Sequence, residues 1–147
     1  MSTCLTGSCL CGNVTWRSEV DAMLSAHCHC VDCRKSSGTG HCTHIVVPMS
    51  AFSVQGEVKF YDRPADSGNM VRRGFCPNCG SALYSTNAAM PEMVFPRASS
   101  LDDPERVSPQ MVVYSSRAPS WDHMDPALPS FAEAPEGGPE QVIKDAQ

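Results

Sequence analysis

Short runs of alternating apolar and polar residues recur along the chain and predict β-strands. In residues 13–20, Val14, Thr15 and Trp16 favour extended structure and alternate in part. Further runs of this kind are residues 41–47, 52–54, 58–61 (ending before Pro64), 69–75, 83–85, 93–95 and 111–114. Since twelve prolines and ten glycines interrupt the chain, long helices are disfavoured. The pattern predicts a mainly β fold of short strands and many turns.

Two segments between these runs are predicted to turn in a helical sense. Residues 28–38 form a loop with a short helix, which Gly38 would end because glycine readily adopts a left-handed conformation. Residues 100–104 form a turn or a single helical turn, with Asp102 or Asp103 near its N-terminal cap. Both are expected to be short connections.

The length of 147 residues fits one domain. From Ala118 onward the sequence becomes proline-rich and aperiodic, and residues 135–139 have the sequence Pro-Glu-Gly-Gly-Pro. We therefore expect a single folded domain at residues 1–134 and a flexible tail at residues 135–147.

Charge and hydropathy narrow the possible partners. Eleven basic against sixteen acidic side chains give a net charge of −5, which disfavours nucleic acid as a partner. No apolar run approaches the roughly 18 residues that span a bilayer, so no membrane contact is expected. The first residues resemble no secretory signal, and we expect a cytoplasmic protein. In that compartment thiols stay reduced, so the nine cysteines indicate metal binding rather than disulfides.

Two cysteine pairs lie far apart in sequence but share a turn-like setting. Cys9 and Cys11 form the first pair, and Cys76 and Cys79 form the second, at the tip of a predicted hairpin. Together they supply four thiolates to one tetrahedral zinc ion. Such a site would be a structural clamp between the N-terminal turn and the hairpin. The alternative is a redox-active Cys-X-X-Cys at the second pair, which lacks the usual βαβ setting.

A second constellation, Cys28, Cys30 and Cys33, supplies only three thiolates. Catalytic zinc sites characteristically have three protein ligands and leave the fourth position for water or substrate. The alternative is a second closed clamp, with a fourth ligand from elsewhere in the chain. The candidates for that ligand are Cys4, His27, His29, Cys42 and His44.

The charge of the three-cysteine site indicates which chemistry suits it. Zinc with three thiolates carries one net negative charge, so it activates water poorly but accepts a soft sulfur ligand. A thiol substrate is therefore favoured, with Arg34 and Lys35 offsetting the charge or remaining solvated. His29 has either a supporting hydrogen-bonding role or an exposed loop position, and no histidine is singled out as the general base. Trp121 is expected to pack against the core.

Three ordered motifs resemble those of the glutathione-dependent formaldehyde-activating enzymes, whose relatives include centromere protein V. They are Gly-Ser-Cys-Leu-Cys-Gly-Asn-Val at residues 7–14, Cys-His-Cys-Val-Asp-Cys-Arg-Lys-Ser-Ser-Gly at residues 28–38, and Phe-Cys-Pro-Asn-Cys-Gly-Ser-Ala-Leu at residues 75–83. The segments at residues 116–121 and 128–131 also resemble the C-terminal part of that family. The resemblance therefore covers most of the chain.

This resemblance implies a mainly β, Mss4-like zinc-binding fold of short antiparallel strands with zinc knuckles. It implies two zinc ions per chain: a structural one on Cys9, Cys11, Cys76 and Cys79, and a catalytic one on Cys28, Cys30 and Cys33. The implied function is that of a carbon–sulfur lyase or synthase, which joins glutathione and formaldehyde into S-hydroxymethylglutathione. Its partners would be a small thiol and an aldehyde. The alternative is a non-catalytic zinc module that binds a protein partner or stores zinc.

Overall fold

A computed structural model describes residues 4–135, which form ten β-strands, one α-helix and several 3₁₀ turns. The strands are β1 Leu5–Ser8, β2 Thr15–Ser18, β3 Leu24–Cys28, β4 Cys42–Pro48, β5 Phe52–Gln55, β6 Lys59–Pro64, β7 Met70–Phe75, β8 Ala82–Asn87, β9 Met93–Pro96 and β10 Met111–Val113. The helix, α1, spans Val31–Ser37. The predicted mainly β fold is confirmed.

The strands form two sheets that share one core. The smaller sheet is antiparallel in the order β1-β2-β5, and the larger one has the order β10-β3-β4-β9-β8-β7-β6. All neighbours in the larger sheet are antiparallel except β10 and β3, which are parallel. Apolar side chains from both sheets meet in the main core cluster, which includes Leu5, Val14, Trp16, Ile45, Val47, Leu83 and Val94.

Trp16 joins the smaller sheet to the rest of the domain. Its side chain is almost fully buried, and its indole N–H donates to the Ser100 hydroxyl over 2.9 Å. Gly7 lies opposite Trp16 on β1, and the indole occupies the space that any larger side chain at this position would need. Thus β1 covers the tryptophan only because residue 7 has no side chain.

Helix α1 follows β3 directly and carries part of the three-cysteine motif. The Cys30 sulfur accepts a hydrogen bond from the Cys33 N–H over 3.2 Å and so caps the first turn. Gly38 ends the helix with φ +88°, a left-handed conformation that glycine adopts without strain. The predicted short helix is confirmed. In the part of the chain described, no helix is long and apolar enough to cross a bilayer.

Several strands differ from the sequence prediction at their ends. The run at residues 58–61 was expected to end before Pro64, but β6 extends to that proline. Because β6 is the last strand of its sheet, its outer edge needs no N–H donor and tolerates proline. Strand β1 was not predicted, because its four residues alternate over too short a span. The turn at 104–106 is capped by Asp103, one of the two expected residues.

The proline-rich segment after residue 118 returns along β10. The N–H of Val112 donates to the Pro129 carbonyl, and the N–H of Phe131 donates back to the Val112 carbonyl, both over 2.9 Å. These bonds place the segment along the outer edge of β10, whose other edge pairs with β3, the strand that ends at Cys28. Residues 136–147, most of the predicted tail, lie outside the described residues, so the domain boundary stays a prediction.

Candidate functional site

The four cysteines of the two distant pairs converge on one point. Ligand atoms of Cys9, Cys11, Cys76 and Cys79 all lie within 4.8 Å of one another. Sulfur–sulfur distances are 3.6 Å for Cys9–Cys11 and 3.7 Å for Cys11–Cys76. All four thiols are free of disulfides. A tetrahedral ion with bonds of about 2.3 Å to sulfur has edges of about 3.8 Å, so this cluster could hold a zinc-sized metal ion.

Two similar turns present these thiols. In each turn the first cysteine carbonyl accepts an N–H from the glycine that follows the second cysteine, at 3.1 Å for Gly12 and 2.9 Å for Gly80. Both glycines have positive φ angles, +81° and +77°, which bend the chain back under the sulfurs. The local sequence of each turn therefore determines where its two thiols lie, and the fold then brings the two turns together.

Ser81 connects the two turns. Its hydroxyl oxygen accepts the Leu10 N–H over 3.0 Å and lies 3.3 Å from the Cys79 sulfur. Hydrogen bonds from the Ser81 side chain and backbone lower the pKa of the Cys79 thiol to about 5, which favours the thiolate that a metal requires. Cys9 and Cys76 are buried in the main core cluster. Cys79 is half-buried and Cys11 is exposed, so the four-cysteine cluster connects the core to the surface.

The second cluster consists of Cys28, Cys30 and Cys33, with ligand atoms also within 4.8 Å of one another. Cys28 ends β3, Cys30 caps α1, and Cys33 lies in the first turn of the helix. Hydrogen bonding among the three thiols lowers the pKa of Cys30 and raises the pKa values of Cys28 and Cys33. Three thiolates cannot share this space without a compensating cation, so this cluster too could hold a metal ion.

His44 on β4 contacts this cluster, and its protonation state is set by a buried arginine. The Arg97 guanidinium, 3% exposed, can only donate hydrogen bonds, and one of its nitrogens lies 3.0 Å from His44 Nδ1. His44 Nδ1 therefore accepts, which leaves the proton of the neutral ring on Nε2. That nitrogen lies 3.3 Å from the Cys33 sulfur, to which it donates. Burial and the Arg97 charge hold the pKa of His44 well below its usual range. In this tautomer His44 offers no lone pair to a metal ion.

The other candidates for a fourth ligand do not join the three-cysteine group, although Cys42 packs against its buried members. Cys42 is buried opposite Cys28 on the neighbouring strand but is not part of the three-cysteine cluster, and burial raises the pKa of its thiol. His27 bonds to a threonine hydroxyl on β4 over 2.8 Å, and Cys4 precedes β1. Among the described residues, none of these joins the cluster, and only three side chains are grouped to bind the ion.

His29 is fully buried, so the expected exposed loop position is wrong. Its Nδ1 donates to the Gly40 carbonyl over 3.0 Å and lies 3.5 Å from the Asp122 carboxylate. Asp122 also bonds to His41 Nδ1 over 2.7 Å. Two histidines therefore contact Asp122 and hold the segment after residue 118 against the loop before β4. The ligand atoms of these three side chains lie within 4.8 Å of one another, so they too could hold a metal ion, and in the described part of the chain the buried His29 Nε2 has no hydrogen-bond partner.

Trp121, next to Asp122, does not pack against the core as expected, because its surface is 63% exposed. The anchor of this segment is instead the carboxylate that follows it. Sequence reasoning missed Asp122, because its partners lie about eighty residues earlier in the chain and no local pattern connects them. An aromatic residue is a strong sequence signal for burial, but here the hydrogen bond of the Asp122 carboxylate determines how the segment is held.

A cavity of about 610 Å³ opens beside the three-cysteine cluster. Its walls include Cys28, Cys30, Cys33 and His44 at one end. Apolar side chains such as Met90 and Met111 form another part, and Ala134 and Pro135 of the C-terminal segment also contribute. The volume lies within the range of about 300–1,000 Å³ typical of cavities that enclose small molecules. The three-cysteine cluster therefore faces a space that a ligand can enter.

The cationic residues of this cavity are Arg73, Arg97 and Arg117, whereas Arg34 and Lys35 of the sequence motif do not line it. Arg73 lies on β7 and Arg97 directly follows β9, and both were missed from the sequence. Arg97 carries no local signal of burial, since an arginine at the end of a strand is usually exposed. Arg73 gave no such signal, since two adjacent arginines on β7 could each face outward.

Comparisons with known proteins match the part of the chain that contains both cysteine clusters. A family model described as "Glutathione-dependent formaldehyde-activating enzyme" matches residues 4–117, which contain all seven cysteines of the two clusters. The chain belongs to this formaldehyde-activating enzyme family. A Halomonas elongata protein named "Putative glutathione-dependent formaldehyde-activating enzyme" is 33% identical over 118 residues, which cover 70% of this chain and 72% of that protein. The resemblance drawn from the three motifs is confirmed.

A solved structure of a Rhodobacter sphaeroides protein has a similar fold. It aligns with a TM-score of 0.55 at 19% identity and covers 86% of this chain and 98% of its own. At this identity the likeness shows the fold alone. Most of this chain therefore has the fold of that solved structure.

Proposed function

We propose that this protein is a zinc-dependent carbon–sulfur lyase or synthase that acts on small thiol adducts. Its reaction would be the reversible joining of glutathione and formaldehyde into S-hydroxymethylglutathione. The observation that carries the proposal is the contrast between two cysteine clusters. One has four thiols, two of which are buried in the main core cluster, and the other has three and faces a cavity of about 610 Å³.

In this proposal Cys9, Cys11, Cys76 and Cys79 hold a structural zinc ion, and the cluster of Cys28, Cys30 and Cys33 holds a catalytic one. The donor sets fit, since sulfur is a preferred ligand of zinc and the spacings in the first cluster suit a tetrahedron. Bound at the second cluster, zinc would supply a coordination position that lowers the pKa of a substrate thiol.

The reaction is an addition that needs no further co-reactant. The thiol sulfur forms a bond to the formaldehyde carbon, the carbon–oxygen π bond breaks, and the proton lost by sulfur ends on the oxygen. The reverse reaction breaks the same carbon–sulfur bond. Neither direction changes the overall oxidation state, so the two thiol clusters need not cycle between reduced and oxidised forms.

The chain itself contributes orientation and charge. His44, fixed by Arg97, donates to the Cys33 sulfur and so holds this ligand in place. The Arg97 and Arg73 guanidiniums raise the positive potential at the cavity, which favours a thiolate substrate over the thiol. The apolar wall around Met90 makes the same space less polar than water and so strengthens these interactions.

The test is the rate of exchange between ¹³C-labelled formaldehyde and its glutathione adduct, followed by NMR against the spontaneous rate. We expect zinc-loaded protein to accelerate exchange, and Cys33→Ser or metal-depleted protein to return it to the spontaneous rate. Reloading the depleted protein with zinc should restore the acceleration. A loaded, folded protein that leaves the spontaneous rate unchanged would exclude this activity and favour a non-catalytic zinc module. The cytoplasmic location stays a prediction.

A further inference from the structure

Arg73 is an arginine without an anionic partner in the wall of the cavity. The arginines Arg63, Arg72 and Arg117 each pair with an aspartate, namely Asp32, Asp62 and Asp66. Within residues 4–135 Arg73 has no such partner, and its Nε atom is buried without a hydrogen-bond acceptor. A buried N–H donor without an acceptor is rare and destabilising in folded proteins. Arg73 therefore stands out from the other arginines of this surface.

The alternation of β7 explains why Arg73 faces the cavity. Neighbouring side chains on a strand point to opposite faces. Arg72 lies on the outer face, where it covers the Phe60 ring and pairs with Asp62. Arg73 lies on the other face, opposite Ser85, a residue that also lines the cavity. The strand thus directs one charge to solvent and the next to the cavity.

The charge balance of the cavity leaves Arg73 available. The two aspartates in its wall, Asp32 and Asp66, are engaged by Arg63 and Arg117. Arg97 is also engaged, because one of its nitrogens contacts His44, Ser85 and a backbone carbonyl. Among the cavity arginines, Arg73 is therefore the one that has no acidic partner and no acceptor for its buried Nε within the described residues, and it can receive an anion. A planar guanidinium suits a carboxylate because it can donate two parallel hydrogen bonds.

We propose that Arg73 is a specificity-determining residue that binds a carboxylate of the thiol substrate. The proposal rests on the proposed function, since it places the substrate sulfur at the three-cysteine cluster in the same cavity. It names the substrate class as a carboxylate-bearing thiol of peptide size. The amides of Asn69 and Asn87 also line the wall and can meet peptide groups between the two ends of such a ligand.

The test compares glutathione with glutathione diethyl ester, whose carboxylates are neutralised, on the zinc-loaded full chain. Thiol binding is read from the zinc-edge absorption spectrum, and the KM for each thiol is read from the formaldehyde exchange. We expect wild-type protein to prefer glutathione by about 10- to 100-fold, the usual effect of a hydrogen bond to a charged group. Arg73→Gln should lose this preference, and Arg73→Lys should keep part of it.

Arg72→Gln is the matched control, because it removes the same charge from the adjacent position on the outer face. It should keep the wild-type preference, which separates local binding from a general change in charge. If Arg73→Gln keeps the preference, or if wild-type protein binds both thiols equally while its zinc spectrum still responds, the role of Arg73 is wrong and the proposed function stands. If neither thiol changes the spectrum or the exchange rate, both proposals fail.

Discussion

The two cysteine clusters should respond very differently to the loss of one thiol. Cys76→Ser removes a ligand that is fully buried in the main core cluster, whereas Cys33→Ser removes one beside the cavity. The first change should prevent stable folding. The second should leave a folded domain that no longer accelerates the exchange.

The expected losses in the free energy of unfolding depend on the role of each cluster. Structural zinc sites contribute about 10–16 kcal/mol of apparent binding free energy in small domains, and whole domains are stable by only about 5–15 kcal/mol. Losing most of that contribution at the four-cysteine cluster therefore exceeds the stability available. A buried cysteine replaced by serine costs only about 1–3 kcal/mol when no metal is involved.

Cys42→Ser is the matched control for the loss of stability that a buried cysteine-to-serine change causes without loss of metal. Cys42 is 5% exposed and belongs to neither metal cluster. The assay is thermal unfolding followed by near-ultraviolet circular dichroism, with zinc content measured on each variant. We expect Cys42→Ser to unfold cooperatively about 4–12 °C below wild type. Cys33→Ser should also unfold cooperatively but at a lower temperature than Cys42→Ser, because it additionally weakens metal binding at the cavity. Cys76→Ser should show no cooperative transition. If Cys33→Ser abolishes the transition as Cys76→Ser does, the distinction between a structural and a functional cluster is refuted.

Three further outcomes are expected. Arg97→Met should lower stability by about 2–4 kcal/mol in urea unfolding, because it leaves the buried Ser85 hydroxyl without its donor and releases His44; an unchanged midpoint would contradict this. Asp122→Asn should speed limited proteolysis after residue 118, because the carboxylate holds this segment. Zinc content should stay at two per chain. A loss of zinc would instead assign metal binding to the His29–His41–Asp122 group. A strong chelator should remove zinc from the cavity-facing cluster first, with loss of exchange activity preceding loss of fold; simultaneous loss would show that the clusters are not independent.

The cysteine clusters were predictable from sequence because each half is a local turn. Spacing within the pairs Cys9–Cys11 and Cys76–Cys79 places two thiols on one side of a bend, and a glycine after each pair completes it. Most strands were also found, since alternation is a local property, but the short strands β1 and β3 were not predicted. Only the juxtaposition of the two turns required the fold.

The surroundings of the cavity were not predictable in the same way. Arg73, Arg97 and Asp122 act through partners that are distant in sequence, and a single chain carries no local signal of such pairs. His29 illustrates the difficulty, because it lies between two cysteines of the cluster yet points away to the Gly40 carbonyl. Alternation along an extended chain explains its direction, but only the structure shows what it meets.

The most direct test of the central claim is metal content per chain, combined with zinc-edge absorption spectra before and after glutathione is added. Cysteine and a thiol-free analogue of glutathione serve as comparisons. We predict two zinc ions, of which one gains a sulfur ligand only when a thiol is present, while the other, with four sulfur ligands, stays unchanged. Two zinc ions that both have complete ligand sets from the start and ignore every thiol would contradict an open three-cysteine site.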